Sequence, residues 1–352
     1  MANRKRVTAR DVAELAGVSP GTVSKALSGR GAVHPDTRER ILEAARELDL
    51  RSGRALAPPD PVRNLTVGLV TQEPFSRRRT SPLLLGAMEK LAEHDIASLM
   101  CDGRGDPIRE QHFVESLLRR RVDGILVAGS GGESLTRPPL RGVTGVPVVY
   151  LMTASTDPGD ASVVPDDRGG AELAARHLVA TGRRRIACVL GPRREEASGI
   201  KTAATREALS EHGLDLAAEP LYGPWSEQWG RQATLQLVHN GVPVDGLICG
   251  NDMIARGATD TLQALGVPVP REIGVIGYDN WTVMAEASRP QLSSIDPNLT
   301  EVGTVAATRM IEAIHHGSPT PGVTAVACDL VPRESTAVPF DAPGTTPRPR
   351  DA

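Results

Sequence analysis

The sequence predicts an α/β protein, with a small N-terminal head of three helices followed by a two-lobed domain built on two parallel sheets. Three observations carry this. Short amphipathic helical patterns with capping residues between them fill the first 50 positions. From Leu65 onward, apolar strand-like runs alternate with amphipathic helical stretches, the signature of parallel sheets with helices on both faces. Between the two, Leu50 to Arg63 turns abruptly small, basic and proline-rich, as a linker does. At 352 residues, two sheets of modest size fit better than one large one. The expected division is a head at 1–50, a linker at 51–63, the two-lobed domain at 64–336 and a proline-containing, aperiodic tail at 337–352 that reads as disordered.

In the head, Thr8 can cap a first helix, with Asp11 three residues on at capping-box spacing and Val12, Leu15 and Ala16 giving an apolar side. Gly17 ends it. Ser19 can cap the next helix, Pro20 suits its first position, and Val23, Ala26 and Leu27 form its buried stripe. Gly21, Thr22, Ser24 and Lys25 are left facing outward. That spacing is the helix-turn-helix, whose second helix sits in the DNA major groove. A third helix over 35–48 opens at Pro35 and carries Ile41, Leu42, Ala45 and Leu48 on one face. The alternative for these helices is a purely structural three-helix module.

The formal net charge of −3 hides an asymmetry, because residues 1–57 hold 11 Lys/Arg and 7 Asp/Glu, leaving −7 for the rest. Phosphate neutralisation dominates non-specific DNA affinity, so Arg4, Lys5, Arg6, Arg10, Lys25, Arg30, Arg51 and Arg54 are candidate backbone contacts, or else solvated surface charges. No apolar run approaches the roughly 18 residues of a membrane span and no signal-peptide core follows the N-terminus, so a cytoplasmic location is expected. Cys101, Cys188, Cys249 and Cys328 are far apart, without CxxC or Cys/His clustering, which favours buried reduced thiols over disulfides or metal ligands.

Beyond the linker, strands are expected at Leu65 to Val70, Ala97 to Cys101, Gly124 to Val127, Val146 to Leu151, Arg185 to Leu190, Gly246 to Cys249, Gly274 to Tyr278 and Val323 to Leu330. Helices are expected near 82–93, 107–120, 168–180, 199–212, 226–239, 252–264 and 300–315. Ligands in such folds bind outside the carboxyl ends of the strands, here in a cleft between the lobes.

The head motifs VTARDVAELAGVS at 7–19, TVSKAL at 22–27 and TRERILEAAREL at 37–48 resemble the lactose-repressor (LacI/GalR) family of transcription regulators. The resemblance runs on to about residue 336 through VGLV at 67–70, RRVDGILV at 120–127, DDRGGAELAARHLVATGRRRIACVLGP at 166–192, GNDMIARGATDTLQALGVPVP at 250–270, IGVIGYDN at 273–280 and VPRES at 331–335. It implies a periplasmic-binding-protein-like domain whose chain crosses three times between lobes, with 64–164 plus 297–323 in the first lobe. It implies a homodimeric repressor on a pseudo-palindromic double-stranded DNA operator, controlled by a small-molecule effector such as a sugar, with no cofactor and no membrane partner. Effector binding is expected to rotate the first lobes and loosen the heads on DNA.

For the head, Pro20, Gly21 and Lys25 are expected at base edges and Thr8, Ser19, Thr22 and Ser24 at phosphates, with Arg30 and Arg54 beside them. The hinge departs from the family. Its usual Pro-Asn is Ser52-Gly53, and Pro59 stands where a minor-groove leucine is usual, leaving Leu56 as the large apolar wedge. In the cleft, Asn251 and Asp279 match effector-contacting positions, and Trp225 matches an aromatic that stacks on the ligand, the alternative being a core tryptophan. Lys201 replaces an effector-clamping arginine and Met152 an acidic residue. Arg77, Arg78, Arg79, Thr80 and Ser81 make the rim basic, which suits a phosphorylated or carboxylated effector, unless they form a solvated loop.

Two other classes were weighed. A transport solute-binding protein shares the two-lobed fold, but the DNA-reading head argues against it. An enzyme using the cleft would need an acid/base pair or metal cluster, and no HExxH, GxSxG or phosphate loop is present, since AGSGGES at 128–134 lacks a following GK[ST].

Overall fold

The computed structural model describes residues 8–28, 33–52, 65–75, 77–130 and 134–337. Contacts divide the chain into two units, Met1–Asn64 and Leu65–Ala352.

The head is built from α1 (Ala9–Ala16), α2 (Pro20–Ser28) and α3 (Pro35–Ser52). Asp11 accepts both the backbone N–H and the hydroxyl of Thr8, at 2.6 and 2.8 Å, which fixes the start of α1. Gly17 closes it at φ +66°, a left-handed conformation that favours glycine. Val12, Ala13, Val23, Ala26, Ile41, Ala44 and Ala45 form the core. Two expected core residues lie outside it. Leu15 and Leu42 are exposed because the tight turn lets the smaller Ala13 and Ala44 fill the space between helices. α3 also runs past its expected end at 48 to Ser52, through helix-competent Leu50 and Arg51.

The first lobe contains β1 (Thr66–Thr71), α4 (Thr80–Ala92), β2 (Ala97–Asp102), α5 (Pro107–Arg119), β3 (Gly124–Ala128), the short β4 (Thr136–Arg137), β5 (Val148–Leu151), the short β6 (Ala154–Ser155) and β7 (Ala161–Pro165). The chain then crosses to the second lobe, which contains α6 (Asp167–Ala180), β8 (Ile186–Leu190), α7 (Glu196–Ser210), β9 (Leu221–Tyr222), α8 (Glu227–His239), β10 (Gly246–Cys249), α9 (Asp252–Ala264), β11 (Gly274–Tyr278), α10 (Thr282–Ala285) and β12 (Ser293–Asp296). It returns for α11 (Leu299–His316) and β13 (Gly322–Val326) and crosses again into β14 (Asp329–Val331).

The two six-stranded sheets have orders β13-β7-β5-β3-β1-β2 and β14-β12-β11-β10-β8-β9. Every pair is parallel except β12 with β14. Each sheet buries apolar side chains on both faces, as continuous runs such as Ile125 to Ala128 and Ile186 to Leu190 require.

The expected single strand from Val323 to Leu330 is two strands in two different lobes. Ala327 and Cys328 form the third crossing, so the first lobe continues to Val326 rather than ending near 323. β7 and β12 were absent from the expected elements; serines and a proline dilute their apolar character.

The three crossings are tied together. The Asp166 N–H donates to Val326 O at 2.8 Å, the Cys328 thiol donates to Asp166 O at 3.2 Å, and the Asn298 side-chain amide donates to Ala327 O at 2.9 Å. This waist leaves the two carboxyl-end edges facing each other.

α4 and α11 touch backbone to backbone because Gly86 faces Thr300 O and Gly303 faces Leu83 O, with no room for a Cβ. Gly86→Ala should therefore destabilise by about 1–3 kcal/mol. Gly199→Ala, on an open face of α7, should stabilise by up to about 1 kcal/mol, both read from thermal midpoints.

Candidate DNA-reading face and effector cleft

In the head, Pro20, Gly21, Ser24 and Lys25 are exposed on one face of α2, directly opposite the buried Val23 and Ala26. Ser19 accepts the Thr22 N–H at 3.1 Å and its hydroxyl meets that of Thr22 at 2.8 Å, so both are anchored to the helix start. The N-terminal turn is thus rigid and its outer face carries a cation and short polar groups. Thr8 is exposed at the start of α1. Arg30, Arg54 and Leu56 lie outside the described residues, as do the hinge prolines.

In the second unit, the carboxyl ends of β1, β5, β8, β10 and β11 converge on the space between the lobes. The first crossing delivers Asp167 to the start of α6, where it is buried. It accepts Lys201 Nζ and Tyr278 Oη, each at 2.9 Å, and Lys201 Nζ also lies 3.8 Å from the centre of the Tyr278 ring. Burial alone would push the Asp167 carboxyl up. The charges of Lys201 and Arg79 and the two hydrogen bonds more than offset this and hold it below the ordinary carboxylate range. Burial, then the charge of Asp167, drives the Tyr278 phenol well above its usual value.

Asp279 follows β11 and pairs with Arg78 Nη1 of the first lobe at 2.5 Å, the two side chains being 8% and 24% exposed. Arg78 also lies 5.2 Å over the ring of Trp281. Behind it, Asp252 accepts the Trp281 N–H and the Ser294 hydroxyl, each at 2.6 Å. Burial first, and the charge of Asp279 second, raise its carboxyl to about 7. Left-handed backbone clusters here at Met152 (φ +60°), Asp279 (+97°), Asn280 (+45°) and Asn298 (+50°), a concentration of strain of the kind found at functional sites.

Trp225 stands at the ends of β8 and β10, its ring against Gly191 and Gly250, where a Cβ would collide with it. Its indole N–H donates to Glu195 Oε2 at 2.8 Å, which fixes the ring plane. Next to Glu195, Glu196 accepts the Leu135 N–H at 2.5 Å, a second link between lobes.

The structure redistributes the expected effector residues. Arg79 and Asp279 line a cavity of about 400 Å³ between the start of α4, the 279–282 loop and the 296–301 crossing. Asn251 is buried and its side-chain oxygen accepts the Ile254 N–H at 2.9 Å, capping α9. Ser81 points back along its own helix, donating to Phe75 O at 2.8 Å. Met152 packs into the first-lobe core, as its apolar chain dictates. Lys201 is turned inward by Asp167, so the cation that replaces the expected arginine serves the crossing rather than the open cleft. Sequence reasoning missed Asp167, Glu195, Asp252 and Tyr278. The available signal for Tyr278 was its place at the end of an apolar strand, and for the three acids their place within a few residues after one.

The comparisons with known proteins agree with this architecture. The model of bacterial regulatory proteins, lacI family, matches residues 8–51, and that of the periplasmic binding protein-like domain matches 175–336. The transcriptional regulator CelR of Thermobifida fusca is 30% identical over 342 residues, covering 95% of this chain and 100% of that protein. A solved CelR–cellobiose complex superposes with a TM-score of 0.64 at 28% identity, covering 94% of this chain and 100% of that one. The lac repressor dimer bound to operator and the anti-inducer ONPF has the same fold, with a TM-score of 0.69 at 24% identity, covering 95% of this chain and 100% of that one. Fold and head together define a DNA-binding transcription regulator with a periplasmic-binding-protein-like core. The chain belongs to the lacI family of bacterial regulatory proteins.

The raised Asp252 carboxyl gives a pH signature. Folding favours its protonated form, so the stability it adds is present below the ordinary carboxylate range and is lost as pH rises towards about 7. Thermal midpoints of the natural chain should therefore fall relative to Asp252→Asn between about pH 4 and about pH 7 and run level above that. Parallel curves throughout would show a carboxyl that titrates normally.

Proposed function

We propose that the chain is a repressor that acts as a homodimer on a pseudo-palindromic duplex and answers to a sugar-like small molecule in the cleft. The observation that carries the DNA half is the outer face of α2, where Pro20, Gly21, Ser24 and Lys25 stand exposed over a fully apolar base. Lys25 reads base edges, while Ser19, Thr22 and Ser24 bind phosphates, and Gly21 lets the helix approach closely with no side chain of its own. Thr8 at the start of α1 adds a phosphate contact. Support for a two-fold partner comes from β2, an edge strand with exposed Leu99 and Met100, and from exposed Val283 on α10.

The effector half rests on Trp225, fixed as an aromatic platform, with Asp279 and Arg79 at the opposite edge of the cleft. An aromatic face and a carboxylate are what a sugar ring needs, because each buried hydroxyl left unbonded costs about 1–3 kcal/mol. The relatives' names, CelR and the CelR–cellobiose complex among them, support a carbohydrate ligand. Ligand occupancy changes the angle between lobes at the tied crossings, and with it the grip of the heads on DNA. The activity is binding without turnover, as in the named regulators.

Selection from a random duplex library should recover a pseudo-palindrome. On that duplex Lys25→Ala should lose about 1–3 kcal/mol of affinity, roughly fivefold to 150-fold, measured by fluorescence anisotropy at fixed salt. Unchanged affinity would remove Lys25 from the reading face.

A further inference from the structure

We propose that the effector is a polyhydroxylated anion, a sugar bearing a carboxylate or phosphate, with its charged group on Arg79 and Arg78 and its hydroxyls on Asp279. This rests on the cleft being the effector site and adds the chemical class of ligand.

The cavity of about 400 Å³ is lined by Arg78 and Arg79 of the first lobe and by Asp279, Asn280 and Trp281 of the second, a volume suited to a small ligand. Three acidic side chains also border it, and each is accounted for. Asp279 holds Arg78. Asp296 accepts the Asn298 N–H at 2.8 Å and the Asn280 side-chain amide at 2.9 Å. Glu301 is exposed to solvent in the first turn of α11. Deeper in, Asp167 is taken by Lys201 and Tyr278.

Arg79 is the exception. Among the described residues no hydrogen bond uses its guanidinium, and its Nε is buried without a partner. Burial works against its charge, but the fields of Asp279, Asp167, Tyr278 and Glu73 more than offset this, while leaving its donors unspent. An arginine offers a planar fork suited to carboxylate or phosphate.

The Arg78–Asp279 pair sets the second requirement. Arg78 meets Asp279 through Oδ2, and the carboxylate has lone pairs left to accept a ligand hydroxyl with the pair intact. A neutral sugar can use those lone pairs but leaves Arg79 without an anionic partner. A simple anion takes up the Arg79 donors but leaves the spare Asp279 lone pairs unused. A ligand with both features satisfies the Arg79 donors and the Asp279 acceptors together and keeps the Arg78–Asp279 pair.

The test is isothermal titration of the full-length chain at constant ionic strength. Inorganic phosphate, the minimal probe, should bind saturably, at least roughly tenfold more weakly to Arg79→Gln and within a few-fold of normal to Arg79→Lys. Arg141→Gln, on the first-lobe surface away from the cavity, should bind phosphate normally. Glucose 6-phosphate and gluconate should each bind more tightly than glucitol, their order telling phosphate from carboxylate. Phosphate heats that do not saturate, equal affinity in Arg79→Gln, or glucitol matching both anions would overturn the proposal. The regulator reading fails differently, by recovery of no duplex in the selection.

Discussion

A buried carboxylate at the first crossing, Asp167, sets the electrostatics of the whole cleft. Placed there by the start of α6, it needs compensation, and it recruits Lys201 from α7 and the Tyr278 hydroxyl from β11. Removing one partner of such a pair strands a charge and typically costs several kcal/mol, so these three side chains are fixed together. The consequence reaches the ligand. With Lys201 committed to the protein, the cations that face open space come from the first lobe, at Arg78 and Arg79.

The same constraint explains the waist. Asp166 and Asp167 begin the second lobe, Cys328 hydrogen-bonds to Asp166 O, and Asn298 holds the third crossing. The three crossings thus meet in one hydrogen-bonded patch. Arg78–Asp279 and Glu196–Leu135 span the opening farther out, where a small rotation moves atoms most.

Much of this was legible in the sequence, and the reasons are specific. The head was readable because Thr8, Gly17, Ser19 and Pro20 each have a local role that needs no tertiary partner. The strands ending at Leu190, Cys249 and Tyr278 were readable because both their faces are buried. Leu15 and Leu42 misled because helical periodicity gives a stripe but not which edge of it meets the neighbouring helix. Val323 to Leu330 reads as one strand because a crossing of two residues leaves no glycine or proline to mark it. Lys201 occupied the expected position, yet its direction depends on Asp167, 34 positions earlier, and no local pattern records such a pairing.

The placement of the aromatic residues has a further meaning. The chain's three tryptophans are Trp225, Trp229 and Trp281, all carried by the second lobe, and Trp281 lies under a guanidinium supplied by the first. Trp229 is half-buried against the core, donating its N–H to Leu190 O, and Trp225 is pinned to Glu195. The molecule thus contains its own optical gauge. Trp281 senses the opposite lobe, while Trp229, held by Leu190 O away from both the cavity and the proposed ligand platform, serves as its internal reference.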